Sequence, residues 1–347
     1  MMEADVKSRD ERQIADLLGR ARALAEPVLR ESVGALPPRM RQIAGYHLGW
    51  WDKYGSALFG DGGKAVRPAL VLAAARAAGG AEPVAARAAA VVELIHNFTL
   101  LHDDVMDQDT RRRRRPTAWS VFGTSDAILA GDALQAAAGR LLAEDSNPAA
   151  APAAARLAQC VIELCEGQSA DCAFENRVDV TVAECLVMAE AKTGALLGCS
   201  CALGALYAGA PAELVDGLDS FGRKLGVAFQ LIDDLLGIWG DPAMTGKPVG
   251  ADLVARKKSL PVVAALTSGT QAGRALAGLY EPGRPLQYAE VPHAAALVEQ
   301  AGGRAWARRQ AESRITEALA DLTRLIPDPA AAADLLALAD LITDRDR

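Results

Sequence analysis

Helical segments alternate with short breakers along most of this chain, and no alternating strand pattern of useful length interrupts them. Residues 1 to about 35 read as one or two charged amphipathic helices, ended by Pro37-Pro38. A polar, glycine-rich break follows at Gly60-Asp61-Gly62-Gly63. From Lys64 onward the breakers are Gly79-Gly80, Asn147-Pro148, Pro211, Asp241-Pro242, the Pro282 to Pro285 region and Pro327 to Pro329. Segments of ~10 to 20 residues with short connections predict an all-α bundle. The Ala-rich stretch 149–155, which contains Pro152, reads as a loop or short helix. No fixed-period repeat occurs, and no linker forces two domains: residues 1–36 form an N-terminal helical segment ahead of one domain, 37–347.

Composition sharpens this picture. Of 347 residues 51% are hydrophobic but only 5% aromatic, so Ala, Leu and Val do the packing, and the abundance of Ala, Leu, Arg and Glu favours helix. The formal charge of −7 leaves no global basic field to draw nucleic acid or anionic lipid. Glu3, Asp5, Asp10 and Glu11 at the start do not follow a signal-peptide layout, so the expected location is the cytoplasm. Thr193 to Ala212 has no charged residue and could span a bilayer by length, but Gly194, Gly198, Gly204 and Gly209 break it up. It is expected to be a buried core helix and turn, leaving no membrane span. All six cysteines fall between Cys160 and Cys201 with no CxxC pair or His partner, and are expected to be small buried thiols.

The chemistry is concentrated in a few places. Asp103, Asp104 and Asp107 end a predicted helix from Glu93 to Asp107, on which His96, Thr99, Asp103 and Asp107 share one face. Phe98, Leu100 and Leu101 just before them demand burial, which argues against a merely solvated acidic helix end. A second pair, Asp233-Asp234, lies about 130 residues on, one turn after Gln230. Carboxylates this close repel unless a cation sits between them, and oxygen-only ligands point to Mg²⁺, which shares its remaining positions with water and phosphates. The block Arg111 to Arg115 would grip those phosphates. Within eight residues of three acids, and with no interleaved aromatics, it fits a nucleic-acid patch less well. Lys64 and Arg67 at a helix start offer a second anion grip. Lys192-Thr193, Gly246-Lys247 and Arg256-Lys257-Lys258 recur beside the acid motifs.

In order and spacing, the motifs GKAVRP, ELIHNFTLLHDDVMDQDTRRRRRPT, EAKTG, FQLIDD, GDPAMTGKPVGADL and KKSLP, between roughly Pro37 and Ala265, resemble the trans-isoprenyl (polyprenyl) diphosphate synthase family. The resemblance implies a type I isoprenoid synthase helical bundle around a central cavity, usually homodimeric, that condenses isopentenyl diphosphate head to tail with allylic diphosphates. It implies that Asp103 and Asp107, supported by Asp104, bind Mg²⁺ on the allylic diphosphate. Asp233 would hold a further ion, making about three in all, with Asp234 beside it. Arg112, Lys192, Lys247 and Lys257 would neutralise the allylic diphosphate. Lys64, Arg67, His96 and Arg113 would hold isopentenyl diphosphate, and Thr193 and Gln230 would line the space where the carbocation develops. No protein nucleophile is required, in keeping with four histidines and no catalytic triad.

Two positions depart from the family pattern. Gly237 stands where the second acidic motif usually has a third Asp, with Asp241 one turn further on, and Arg114 stands where Gly is common. Phe98 lies five residues before Asp103, Thr99 is small, and no two residues are inserted in the first motif; the pattern is similar to archaeal-type geranylgeranyl diphosphate synthases and implies a C20 product. A type I terpene cyclase would need an Asn/Asp-x-x-Ser/Thr-x-x-x-Glu motif after Gln230 that this chain lacks. A non-catalytic partner subunit is suggested only by Gly237.

Overall fold

The computed structural model describes residues 2–58, 63–242, 248–281 and 286–343, with side chains from residue 12 onward. It is helical almost throughout, as the all-α reading predicts. The helices are α1 (Met2–Gly34), α2 (Pro38–His47), α3 (Val66–Ala77), α4 (Ala86–Met106), α5 (Ala118–Phe122), α6 (Thr124–Ala143), α7 (Ala150–Phe174), α8 (Val182–Ala189) and α9 (Ala195–Tyr207). They continue with α10 (Ala212–Trp239), α11 (Ala251–Val254), α12 (Leu260–Leu266), α13 (Gln271–Leu279), α14 (Val291–Gln300), α15 (Gly303–Leu325) and α16 (Pro329–Thr343). The two-residue strands β1 (Arg111–Arg112) and β2 (Arg115–Pro116) pair antiparallel.

The residues fall into two compact units. The first comprises 1–161, 196–222 and 321–341; the second comprises 162–195, 223–320 and 342–347. In the first, α4 packs most extensively on α6 and also meets α3 and α1. Its Ala88, Ala89, Val91, Val92 and Leu94 are fully or almost fully buried, and Ala at close contacts lets the helix axes approach. The amphipathic α1 is one helix, docked through Leu17, Ala21, Ala25, Leu29 and Val33. In the second unit, Cys185, Leu231, Leu260, Val263 and Ala307 form one core cluster, and Ile238, Leu276, Ala294 and Val298 belong to another.

Local signals explain several helix starts. Pro38 sits in the first turn of α2, where its missing N–H costs nothing. Thr181 and Glu184 close a capping box on α8. Pro152 lies in the first turn of the long α7, so the Ala-rich stretch is a helix start rather than a loop. Among the described residues two helical stretches, Glu82–Met106 and Val182–Tyr207, are long and apolar enough to cross a membrane, but 67% and 72% of their most apolar windows are buried within the protein. The cysteines depart from expectation: Cys165 is exposed and Cys172 half-buried, because they point off the packed face of α7, while Cys160, Cys185, Cys199 and Cys201 are buried.

Candidate active site

In the first unit, α4 carries Asp103 and Asp104 in its last turn, and Asp107 caps it, its N–H donating to the Asp103 carbonyl at 2.8 Å. Asp103 and Asp107 are half-buried, whereas the Asp104 side chain is 1% exposed. Arg112 Nε donates to Asp104 Oδ1 at 2.8 Å, leaving Oδ2 buried without a partner among the described residues. Burial pushes the Asp104 carboxyl up to about 6 against the pull of Arg112. Arg112, read from the sequence as a diphosphate ligand, is therefore also the counterion of the buried acid.

The arginine block is not helical. β1 and β2 close a two-residue hairpin with Arg113 at φ 49° and Arg114 at φ 63°. Such a turn requires positive φ at both central residues, which is why Gly suits it. Arg114 thus occupies a left-handed position at a cost of about 1 kcal/mol. Ala65, Gln108 and Arg256 are the other non-glycine residues with positive φ among those described, and each adjoins a motif.

Arg113 reaches the start of α3: a Cβ added at Gly63 would stand 3.3 Å from its guanidinium nitrogens. Lys64 is exposed just ahead of α3, and Arg67 lies in the first turn of that helix. Burial, then Arg67, Arg113, Arg112 and His47, hold the His96 imidazole well below its usual range. The fold therefore gathers Arg67, His96, Arg112 and Arg113 into one electropositive locality, with Lys64 at its edge. Glu93, buried and hydrogen-bonded by Asn97 Nδ2 at 3.1 Å, has its carboxyl pushed up by burial despite Arg67. Phe98 is buried, its ring edge-on to His102 with centroids 4.9 Å apart; the half-buried Thr99 donates to the His96 carbonyl.

In the second unit, Glu190–Gly194 form one π-helical turn between α8 and α9, closed by the Ala195 N–H on the Glu190 carbonyl. Such a bulge re-aims side chains and recurs at functional sites. It directs Lys192 to Asp171 and Thr193 Oγ1 to Gln230 Oε1 at 2.8 Å. Close backbone approach makes this possible, because a Cβ at Gly226 would lie 2.5 Å from Gly194 Cα. Gln230 Nε2 donates to Asp234 Oδ1 at 2.7 Å, and the Leu260 N–H donates to Oδ2 at 2.8 Å. Asp234 is buried; burial and Asp252 push its carboxyl up to about 7. Asp233, by contrast, is exposed. Lys257 is half-buried, its N–H on the Asp252 carbonyl. Lys247 lies outside the described residues.

Sequence reasoning missed Asp252. A Cβ on Gly237 would stand 2.0 Å from Asp252 Oδ2, so this carboxylate occupies the space where a third acid of the second motif would begin. Asp252 lies within the quoted GADL segment, but only the contact between α10 and α11 reveals its place.

The donor set suits Mg²⁺. Among the described residues no three His, Cys, Asp or Glu side chains converge on one metal position. Asp103 and Asp107, one turn apart, offer hard oxygens and leave further positions to water and phosphate, as Mg²⁺ prefers.

Residues 49–298 match the family model for polyprenyl synthetase. The chain is 50% identical over 331 residues to a geranylgeranyl diphosphate synthase of Mycobacterium tuberculosis, covering 95% of this chain and 93% of that relative. It is 47% identical over 339 residues to a (2E,6E)-farnesyl diphosphate synthase of the same organism, covering 96% of this chain and 94% of that relative. A solved polyprenyl synthetase from Streptomyces coelicolor A3(2) superposes with a TM-score of 0.90 at 45% identity, covering 95% of this chain and 99% of that one.

Proposed function

This chain belongs to the polyprenyl synthetase family and is a prenyltransferase, and from that premise we propose that it makes the C20 product geranylgeranyl diphosphate. The substrates are isoprenyl diphosphates, which this family binds with divalent metal. In our reading isopentenyl diphosphate adds in turn to dimethylallyl, geranyl and farnesyl diphosphates. The observation that carries the C20 assignment is the buried Phe98, held edge-on to His102 below the first acidic motif, where it would floor the space for the growing tail. The greater identity to the geranylgeranyl synthase supports it; the 47% identity to a farnesyl synthase favours C15 as the second reading.

Asp103, Asp107 and Asp233 would hold about three Mg²⁺ ions, which neutralise charge developing on the leaving diphosphate when bound. Arg112 in the first unit, and Lys192 and Lys257 in the second, would each offer fixed positive charge to a leaving diphosphate, a role the family resemblance also gives to Lys247, so that the allylic C–O bond breaks to a carbocation. Asp104 and Asp234 support the motifs from their buried positions. Thr193 and Gln230, locked to each other and to Asp234, present oxygen dipoles to that cation. Lys64, Arg67, His96 and Arg113 orient isopentenyl diphosphate so that its double bond attacks; a proton then passes from the adduct to the departed diphosphate. The chain is expected to work as a homodimer. Replacing Phe98 with Ala should lengthen the main product beyond C20, read by mass spectrometry of the dephosphorylated alcohols. An unchanged product would remove Phe98 as the floor.

A further inference from the structure

His47 closes α2 and belongs to none of the motifs that mark the family in this sequence. Its Nε2 is buried and has no hydrogen-bond partner among the described residues. A buried donor or acceptor left unmet is costly, so such atoms almost always have a partner. The charged groups that act on it most strongly are cations, and the cleft it lines also holds the Asp104 carboxylate. Burial first, and then Arg112, Arg113 and Arg115, hold the imidazole down to about 3, so it stays neutral at pH 7. His47 lines a cleft with Tyr46, Asp104, Arg112, Arg113 and Thr117, and its field reaches His96.

The end of α2 is pinned there. Arg115 donates to the Tyr46 and Trp51 carbonyls, both at 3.1 Å, and its guanidinium lies 4.4 Å from the Tyr46 ring centroid. The Tyr46 hydroxyl donates to the Pro116 carbonyl at 2.8 Å. Arg115 is thereby occupied as a strut between α2 and β2, which leaves the neutral His47 imidazole lining the cleft. With its proton on Nε2, such an imidazole among guanidinium groups finds its complement in an anion.

We infer that His47 is a further ligand of isopentenyl diphosphate, donating from Nε2 to an oxygen of its diphosphate beside Arg113 and His96. The inference rests on the synthase reading above. Its test compares His47→Gln, which keeps an N–H donor, with His47→Met, of similar size but without one. Binding of isopentenyl diphosphate is measured by calorimetry in metal-free buffer, alongside KM for both substrates and the melting temperature. His47→Met should weaken Kd and KM for isopentenyl diphosphate about ten- to thirtyfold, as loss of a hydrogen bond to a charged group implies. KM for farnesyl diphosphate and the melting temperature should hold, and His47→Gln should recover most of the affinity. Unchanged affinity in His47→Met, or equal loss in both variants with a lowered melting temperature, would overturn the inference. If the wild-type protein neither binds isopentenyl diphosphate nor elongates any primer, the synthase reading fails and the assignment of His47 falls with it.

Discussion

Removing Arg112 tests how the first acidic motif is held together. Asp104 is 1% exposed and its carboxyl titrates near 6 with Arg112 in place, so at pH 7 it is mostly ionised. An uncompensated buried carboxylate would cost about 3–5 kcal/mol. Protonation caps that cost: taking up a proton at pH 7 from a site near 6 requires about 1.4 kcal/mol. Arg112→Ala should therefore lose about 1.4 kcal/mol of charge pairing and about 1 kcal/mol for the bond to the protonated acid, roughly 2.5 kcal/mol in total. At pH 5 Asp104 is already protonated, and only the second part remains. The sign agrees with linkage: a raised carboxyl contributes stability present below about 4 and lost as pH rises through about 6, and the variant extends that loss to higher pH. In an Asp104→Asn background Arg112→Ala should cost about 1 kcal/mol at either pH. The assay is urea unfolding by circular dichroism in metal-free buffer, taken as differences from the parent. Equal costs at pH 5 and pH 7, or full additivity with Asp104→Asn, would refute the reasoning.

Three further outcomes follow from the same structure. Arg114→Gly relieves a left-handed φ of 63° and should stabilise the protein by about 1 kcal/mol in urea midpoints, with turnover preserved. Gly237→Asp would restore the usual motif but make the Asp252 side chain turn away and set a second carboxylate beside it, so metal-free melting should report a loss of about 1 kcal/mol rather than a gain. Asp234, raised to about 7, contributes stability present below about 4 and lost as pH rises through 7; Asp234→Asn should flatten that fall in metal-free melting curves between pH 5 and pH 8.

The all-helical fold was legible because Ala, Leu and breaker residues announce themselves locally, and α3, α4 and α10 lie where the motifs put them. The placement of Asp103, Asp107, His96 and Gln230 followed from helical spacing. What stayed hidden depends on contacts distant in sequence or on backbone states with no side-chain signature. The hairpin at the arginine block is two residues per strand, too short for alternation to show, and it turns Arg114 from an unexplained charge into a strained turn residue. The π turn at Lys192 adds one residue to a helix without changing its composition. Asp252 and His47 lie well away in the chain from Gly237 and Arg113, the residues that give them meaning.

The most direct measurement supplies purified protein and Mg²⁺ with isopentenyl diphosphate and, separately, dimethylallyl, geranyl or farnesyl diphosphate, then sizes the dephosphorylated alcohols by mass spectrometry. A C20 alcohol from all three primers is the predicted result. A C15 alcohol from the two shorter primers, with farnesyl diphosphate left unextended, would contradict the product assignment; no elongation from any primer would contradict the account of the site itself.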